Sequence, residues 1–146
     1  MDISRARVVD GFTFAAGGDL FNRIPFSQLG HPELNKMLKL LQDADVAFAN
    51  HESSAFDLPG PGTVTYAAQN GGGYPRFSTA LERDFKAMGI DLVSMANNHA
   101  GDWGRRGWLP RSPTSRPPVW SRPVPGASLS EARKPGVFYS PRGNVA

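Results

Sequence analysis

The stretch Leu92-Val93-Ser94-Met95-Ala96-Asn97-Asn98-His99-Ala100-Gly101-Asp102-Trp103-Gly104 decides how this chain is read. A short apolar run of strand character passes directly into two amides, an imidazole and a carboxylate. In α/β folds the sheet fixes the backbone at such a point, and the loop beyond the strand carries the chemistry. An Asn-His pair there sets a neutral oxygen ligand for a metal beside a titratable proton carrier. Taken alone, the pair reads equally well as a polar turn after a buried strand.

Two further places repeat the pattern. Phe12-Thr13-Phe14-Ala15-Ala16 reads as a strand and ends in Gly17-Gly18-Asp19. Val46-Ala47-Phe48-Ala49 reads as another and ends in Asn50-His51-Glu52. If these strands pair in parallel, their C-terminal ends share one edge, and Asp19, Glu52, Asn98 and His99 are expected to converge there. Hard oxygen ligands with one or two nitrogens suit Mg²⁺, Mn²⁺ or a similar divalent ion.

These residues carry a family resemblance. Gly18-Asp19, Asn50-His51-Glu52 and the block from Ala96 to Gly104 resemble the bacterial capsule-synthesis CapA family, associated with poly-γ-glutamate production. That family is similar in fold to the calcineurin-like metallophosphoesterases. The resemblance covers roughly residues 12 to 104, and its most specific part is Asn97-Asn98-His99-Ala100 with Asp102 and Gly104. It implies an α/β fold: the N-terminal part of a metallophosphoesterase-like sandwich, incomplete, with parallel strands and flanking helices. It implies metal ligation by Asp19, Glu52 and Asn98, with His99 as proton donor to the leaving oxygen and Asn50, Asn97 and Asp102 in support. Two departures stand out. Phe21 replaces the histidine that metallophosphoesterases usually place two residues after the first aspartate, and His51 sits where many relatives have an apolar residue. The histidines that relatives supply from later strands have no counterpart, since only His31, His51 and His99 exist. A divalent metal is therefore expected to bind weakly if at all.

Composition bounds these readings. The 146 residues suffice for one domain with a real core. The absence of cysteine excludes both a disulfide framework and a zinc-thiolate site. No apolar run has the length to span a bilayer. Met1 to Asp10 is polar, without the apolar stretch of a signal peptide, so the chain as encoded is expected in the cytoplasm, although the family often works at or outside the membrane. The net charge of +3 is local in origin. Residues 105–125 hold five arginines and no acid, and the rest of the chain carries 11 basic against 13 acidic side chains. No uniformly basic face is left for a phosphate backbone, and no nucleic-acid partner is expected.

Between the strands, Pro32 to Leu41 reads as a helix with Pro32 in the first position and Leu34, Met37, Leu38 and Leu41 on one apolar face. A second helix is expected from Ser78 or Thr79 to Met88. Leu81, Phe85 and Met88 form its stripe, a Ser/Thr opens it with Glu82 three residues after Thr79, and Gly89 caps its end. Strand, helix, strand, helix, strand is the order of a parallel α/β unit. Ser53 to Pro75 is a long Gly/Pro-rich connection with room for a short strand at 63–67, and its Gly71-Gly72-Gly73 reads as a flexible turn. Tyr66 and Tyr74 line a substrate cleft or pack on the sheet edge.

Three segments follow: 1–104, CapA-like; 105–125, Pro/Arg-rich and irregular; and 126–146, where CapA-like sequence resumes with a capped helical turn and the start of a strand. Residues 105–125 contain six of thirteen prolines and two of three tryptophans, a composition that forbids helix and central strand. It is the composition of an off-frame reading of a GC-rich gene, and two compensating frame slips would produce it. Three functions remain: a metallophosphoesterase-like enzyme of capsule polymer synthesis, represented by its N-terminal part; a non-catalytic fragment or interaction module partnering other polymer-synthesis proteins; and, least supported, a nucleic-acid binder using the Arg/Pro/Trp segment. The first is read as ancestry and the second as the state of this polypeptide.

Overall fold

Alternating apolar runs and amphipathic helices build a three-stranded parallel sheet with strand Val46–Asn50 at its centre. The structure is a computed structural model, and it describes residues 8–55, 57, 74–103, 128–134 and 136–145. Strand β1 spans Phe14–Asp19, helix α1 Pro32–Gln42, β2 Val46–Asn50, β3 Ser54–Ala55, β4 Arg76–Phe77, α2 Ala80–Ala87 and β5 Leu92–Ser94. After these come α3 (Leu129–Ala132), β6 (Phe138–Ser140) and β7 (Gly143–Val145). The main sheet has the order β1-β2-β5, with both pairings parallel. The α/β class with parallel strands and flanking helices is what the sequence pattern implies. The strand expected at 63–67, Tyr66, the triple glycine and segment 105–125 lie outside the described residues.

Register places the strand ends side by side. Asp19 is opposite Asn50, and Asn50 is opposite Ser94. Between Ala16 and Asp19 the register shifts, so that Gly17 and Gly18 together face the single residue Ala49. β1 therefore starts two residues later than the apolar pattern suggests and runs through the glycines to Asp19.

One face of the sheet, Ala15, Ala47, Ala49 and Val93, packs with Leu38 of α1 and with Leu81, Phe85, Met88 and Ile90 of and after α2. Small residues on the sheet let the helices sit close, and fully burying each large side chain contributes roughly 1.5–3 kcal/mol. The stripe of α2 is as expected. That of α1 is narrower: Leu38 is buried, Leu34 and Leu41 pack against the core, but Met37 is 57 % exposed. At about 100° per residue Met37 lies to one side of the line joining Leu34, Leu38 and Leu41, beyond what the described strands cover.

The start of α2 departs from the expected capping box. Thr79 is the N-cap residue but makes no side-chain cap bond. Asp57 draws the hydroxyls away instead, accepting from Ser78 Oγ at 2.6 Å, Thr79 Oγ1 at 2.5 Å and the Thr79 N–H at 3.2 Å. These donors hold the Asp57 carboxyl below the usual carboxylate range, Ser78 most of all. At the other end Gly89 caps as expected, with φ +96°, and a Cβ there would meet the Gln42 backbone nitrogen at 2.8 Å. The 3-10 turn Phe26–Gln28 is pinned by buried Asp84, which accepts from the Phe26 N–H at 2.7 Å, the Ser27 N–H at 3.1 Å and the Ser27 hydroxyl. In the C-terminal segment β6 and β7 form an antiparallel hairpin, and Val8 bridges to Gly143. Arg142 ties that hairpin to the sheet through Asp45 at 3.3 Å.

Candidate functional site

The three strand ends deliver one connected polar network, and Asn50 is its hub. Backbone pairing continues past the strands, Leu20 N–H to Asn50 O at 2.7 Å and His51 N–H to Ser94 O at 2.8 Å, which holds the emerging loops in register. The Asn50 amide nitrogen donates to Asp19 Oδ1 at 2.8 Å and to Glu52 Oε2 at 2.5 Å. Two carboxylates thus gather around a single donor. The Asn50 oxygen accepts from Asn97 Nδ2 at 3.1 Å, and the same Asn97 nitrogen donates to the His51 carbonyl at 2.9 Å. Asn97 Oδ1 accepts the His99 N–H at 3.0 Å, so one amide clasps the end of β2 to the turn after β5.

His99 is held from both sides. Its Nδ1 meets Asp102 Oδ2 at 2.7 Å, and its Nε2 lies 3.7 Å from Glu52 Oε1. Asp102 is 1 % exposed, so the carboxylate that orients the ring is out of water, while the His99 side chain keeps 22 % of its surface. An acceptor-only carboxylate at Nδ1 places the neutral ring's proton there and leaves Nε2 directed at Glu52. Asp19, Glu52, His99, Asn50, Asn97 and Asp102 are therefore all brought together. Asn98 is exposed in the turn, and the hydrogen bonds of the network run through its neighbour Asn97. Among the described residues, no group of three or more His, Asp or Glu side chains is arranged to hold a metal ion.

His51, between two members of the network in sequence, belongs to the core behind it. Its ring packs edge-on against Phe77 at 5.1 Å and Phe85 at 5.7 Å. Burial pushes its pKa down to about 4, and its Nδ1 has no hydrogen-bond partner among the described residues. An imidazole here does the packing of an apolar residue.

Beside the network lies a cavity of about 360 Å³, reached by Ser53, Tyr74, Arg76, Phe77 and Trp103. Of these residues only Tyr74 was expected to line a cleft, together with Tyr66, which lies outside the described residues. The others come from separate segments with no shared period, and only the adjacency of Ser53 to Glu52 and of Trp103 to Asp102 hints at them.

The bacterial capsule synthesis protein family PGA_cap matches residues 13–111, a span containing all three strand ends and the whole network. The chain belongs to this family. Two proteins of Sinorhizobium fredii (strain NBRC 101917 / NGR234), y4sH and y4uA, both described as uncharacterized, are each 34 % identical to it over 139 residues. The match covers 95 % of this chain and 30 % of each relative, so this member of the capsule synthesis family spans under a third of the length of those curated relatives. The parallel sheet and its helices are those of a partial metallophosphoesterase-like fold.

Proposed function

We propose that this chain carries the N-terminal half of a divalent-metal hydrolytic site of capsule polymer synthesis, with poly-γ-glutamate production as its setting. The observation that carries the reading is the pairing of a buried-carboxylate–imidazole dyad, Asp102–His99, with two carboxylates drawn to one point. The donor chemistry fits Mg²⁺ or Mn²⁺. Asp19 and Glu52 supply hard oxygens, their mutual repulsion is relieved by the Asn50 amide, and a cation would relieve it more strongly. Asp19, Glu52 and Asn98 are the residues that would hold the ion, which when bound supplies Lewis-acid polarisation of a phosphoryl or carbonyl oxygen and an acidified water. Asp102 fixes the orientation of the His99 ring through its Nδ1. His99 delivers a proton from Nε2 to the departing oxygen.

Because later ligands known in the superfamily have no counterpart among the three histidines, metal affinity and turnover of this chain are expected to be low. The test is Mn²⁺ titration of the purified protein by calorimetry, beside hydrolysis of p-nitrophenyl phosphate. The expected result is weak binding that Asp19→Asn and Glu52→Gln abolish, and slow turnover that His99→Ala removes. Binding indifferent to both carboxylates sinks the reading.

The second reading is a non-catalytic module that docks other polymer-synthesis proteins. It is favoured by large apolar side chains left half exposed around β1, namely Phe14, Phe21 and Ile24. Co-purification of a partner that Phe21→Ser releases would support it.

A further inference from the structure

The cavity beside the network differs from it in chemistry, and that contrast identifies what it accepts. The network is anionic, with Asp19, Glu52 and Asp102. The cavity is lined by two arginines, Arg23 and Arg76, together with the rings of Phe21, Tyr74, Phe77 and Trp103. Arg76 lies close enough to Asp57 to act on its charge, whereas Arg23 is exposed and has no carboxylate partner among the described residues. Tyr74 and Trp103 meet edge to face, ring centres 6.2 Å apart at 72°. Rings so disposed form a corner. They do not form the slot between parallel faces that suits a flat nucleobase, and a puckered ring with C–H groups on its faces fits a corner better. Ser53 lines the same cavity, is 5 % exposed, and its hydroxyl has no hydrogen-bond partner among the described residues. That oxygen is itself closed off from solvent, so Ser53 serves as wall at this point. The volume of about 360 Å³ is at the low end for small-molecule sites, which run from roughly 300 to 1,000 Å³, and admits one ring-sized unit.

We propose that this cavity is a subsite for a single sugar ring bearing an anionic group, seated on the Tyr74–Trp103 corner with its charge on Arg23. The cavity carries the binding. Its assignment as the subsite that presents substrate to His99 rests on the hydrolytic reading above. Ser53 follows Glu52 and Trp103 follows Asp102, so a ligand held here lies beside the dyad. The anionic group is a carboxylate, as in a uronic acid, or a phosphate, as in a sugar phosphate, and the two share the guanidinium chemistry that would recognise them.

The test is calorimetric or saturation-transfer binding to the 146-residue protein in the presence of chelator, which keeps it separate from any metal site. The probes are glucuronate, glucose 6-phosphate, glucose, inorganic phosphate and adenosine monophosphate. Glucuronate, glucose 6-phosphate or both should bind roughly tenfold tighter than glucose or phosphate. The tighter of the two names the source of the charge. Arg23→Gln, at an exposed position that leaves packing intact, should remove the advantage over glucose. Trp103→Phe should weaken both sugars while leaving the circular dichroism spectrum unchanged. Glucose bound as tightly as its anionic forms, phosphate bound as tightly as the sugars, adenosine monophosphate bound tightest, or indifference to Arg23→Gln would each overturn the proposal. None of these outcomes bears on metal-dependent turnover, so the subsite and the hydrolytic reading fail separately.

Discussion

Acid should weaken this protein in a way that one buried residue, His51, makes measurable. The folded state holds its imidazole neutral between Phe77 and Phe85, with a pKa of about 4 against an ordinary 6.5. The unfolded chain therefore takes up the proton first as pH falls, and stability present above pH 6.5 is lost progressively toward pH 4. The full difference corresponds to about 3 kcal/mol, and about 2 kcal/mol of it is gone by roughly pH 5. With a urea dependence of about 2 kcal/mol per molar, the unfolding midpoint should move down by about 1 M between roughly pH 7.5 and pH 5. Carboxylates contribute acid sensitivity as well, so the assay is a comparison with His51→Leu, which fills similar space and does not titrate. The variant should equal or exceed the wild type at neutral pH, because it removes a buried ring nitrogen with no partner among the described residues, and it should lose much less on acidification. Midpoints that fall in parallel for the two proteins would refute a neutral, desolvated His51.

Other expectations follow from single contacts. Gly89→Ala forces a Cβ against the Gln42 backbone at a left-handed φ and should cost about 1–3 kcal/mol in urea unfolding; a neutral result would mean the α1–α2 junction is looser than described. Asp84→Ala leaves the N–H groups of Phe26 and Ser27 without their acceptor and should destabilise by about 2 kcal/mol, with hydrogen exchange in that turn accelerating most. In ¹⁵N spectra the neutral His99 ring should carry its proton on Nδ1, and Asp102→Ala should abolish that preference; a wild-type ring protonated at Nε2 contradicts the dyad. Translation of the gene in the neighbouring frame should give an amphipathic helical sequence of about 15 residues between Gly104 and Gly126, of ordinary helix length, and a stop-containing or Pro/Arg-rich frame ends that idea.

The α/β class, the parallel order and the gathering of Asp19, Glu52 and His99 were legible because each rests on a local signal, an apolar run and what terminates it. The finer arrangement was less so. Asn50 and Asn97 read as supporting residues, but that one amide bridges two carboxylates and the other joins two loops depends on the pairing of β2 with both neighbours, which no window of sequence contains. Asp57 supplanting a capping box is likewise a long-range contact, 22 residues from Thr79. Met37 was misread because periodicity gives the direction of a face and not its width. The opposite error hides in His51, whose polar identity suggests chemistry while its surroundings make it part of the core.

The mismatch of Gly17 and Gly18 against Ala49 has a consequence in simple parity. Along β1, side chains alternate sides, and Ala15 lies on the face packed by the helices. Counting by twos from Ala15, Asp19 would fall on that same side, a carboxylate thrust among Leu38, Phe85 and Val93. The additional residue resets the count, and Asp19 emerges opposite Asn50, on the side of Phe48 and Phe14. Its address is thus written as an odd number of inserted residues, and the chemistry of Asp19 itself has no part in it. Deletion of one glycine would remove the additional residue and keep this side chain opposite Asn50, whereas deletion of both would set it opposite Ala49 and turn it inward. A strand end of this kind tolerates changes of residue type in its glycines, and the loss of one of them, far better than the loss of both.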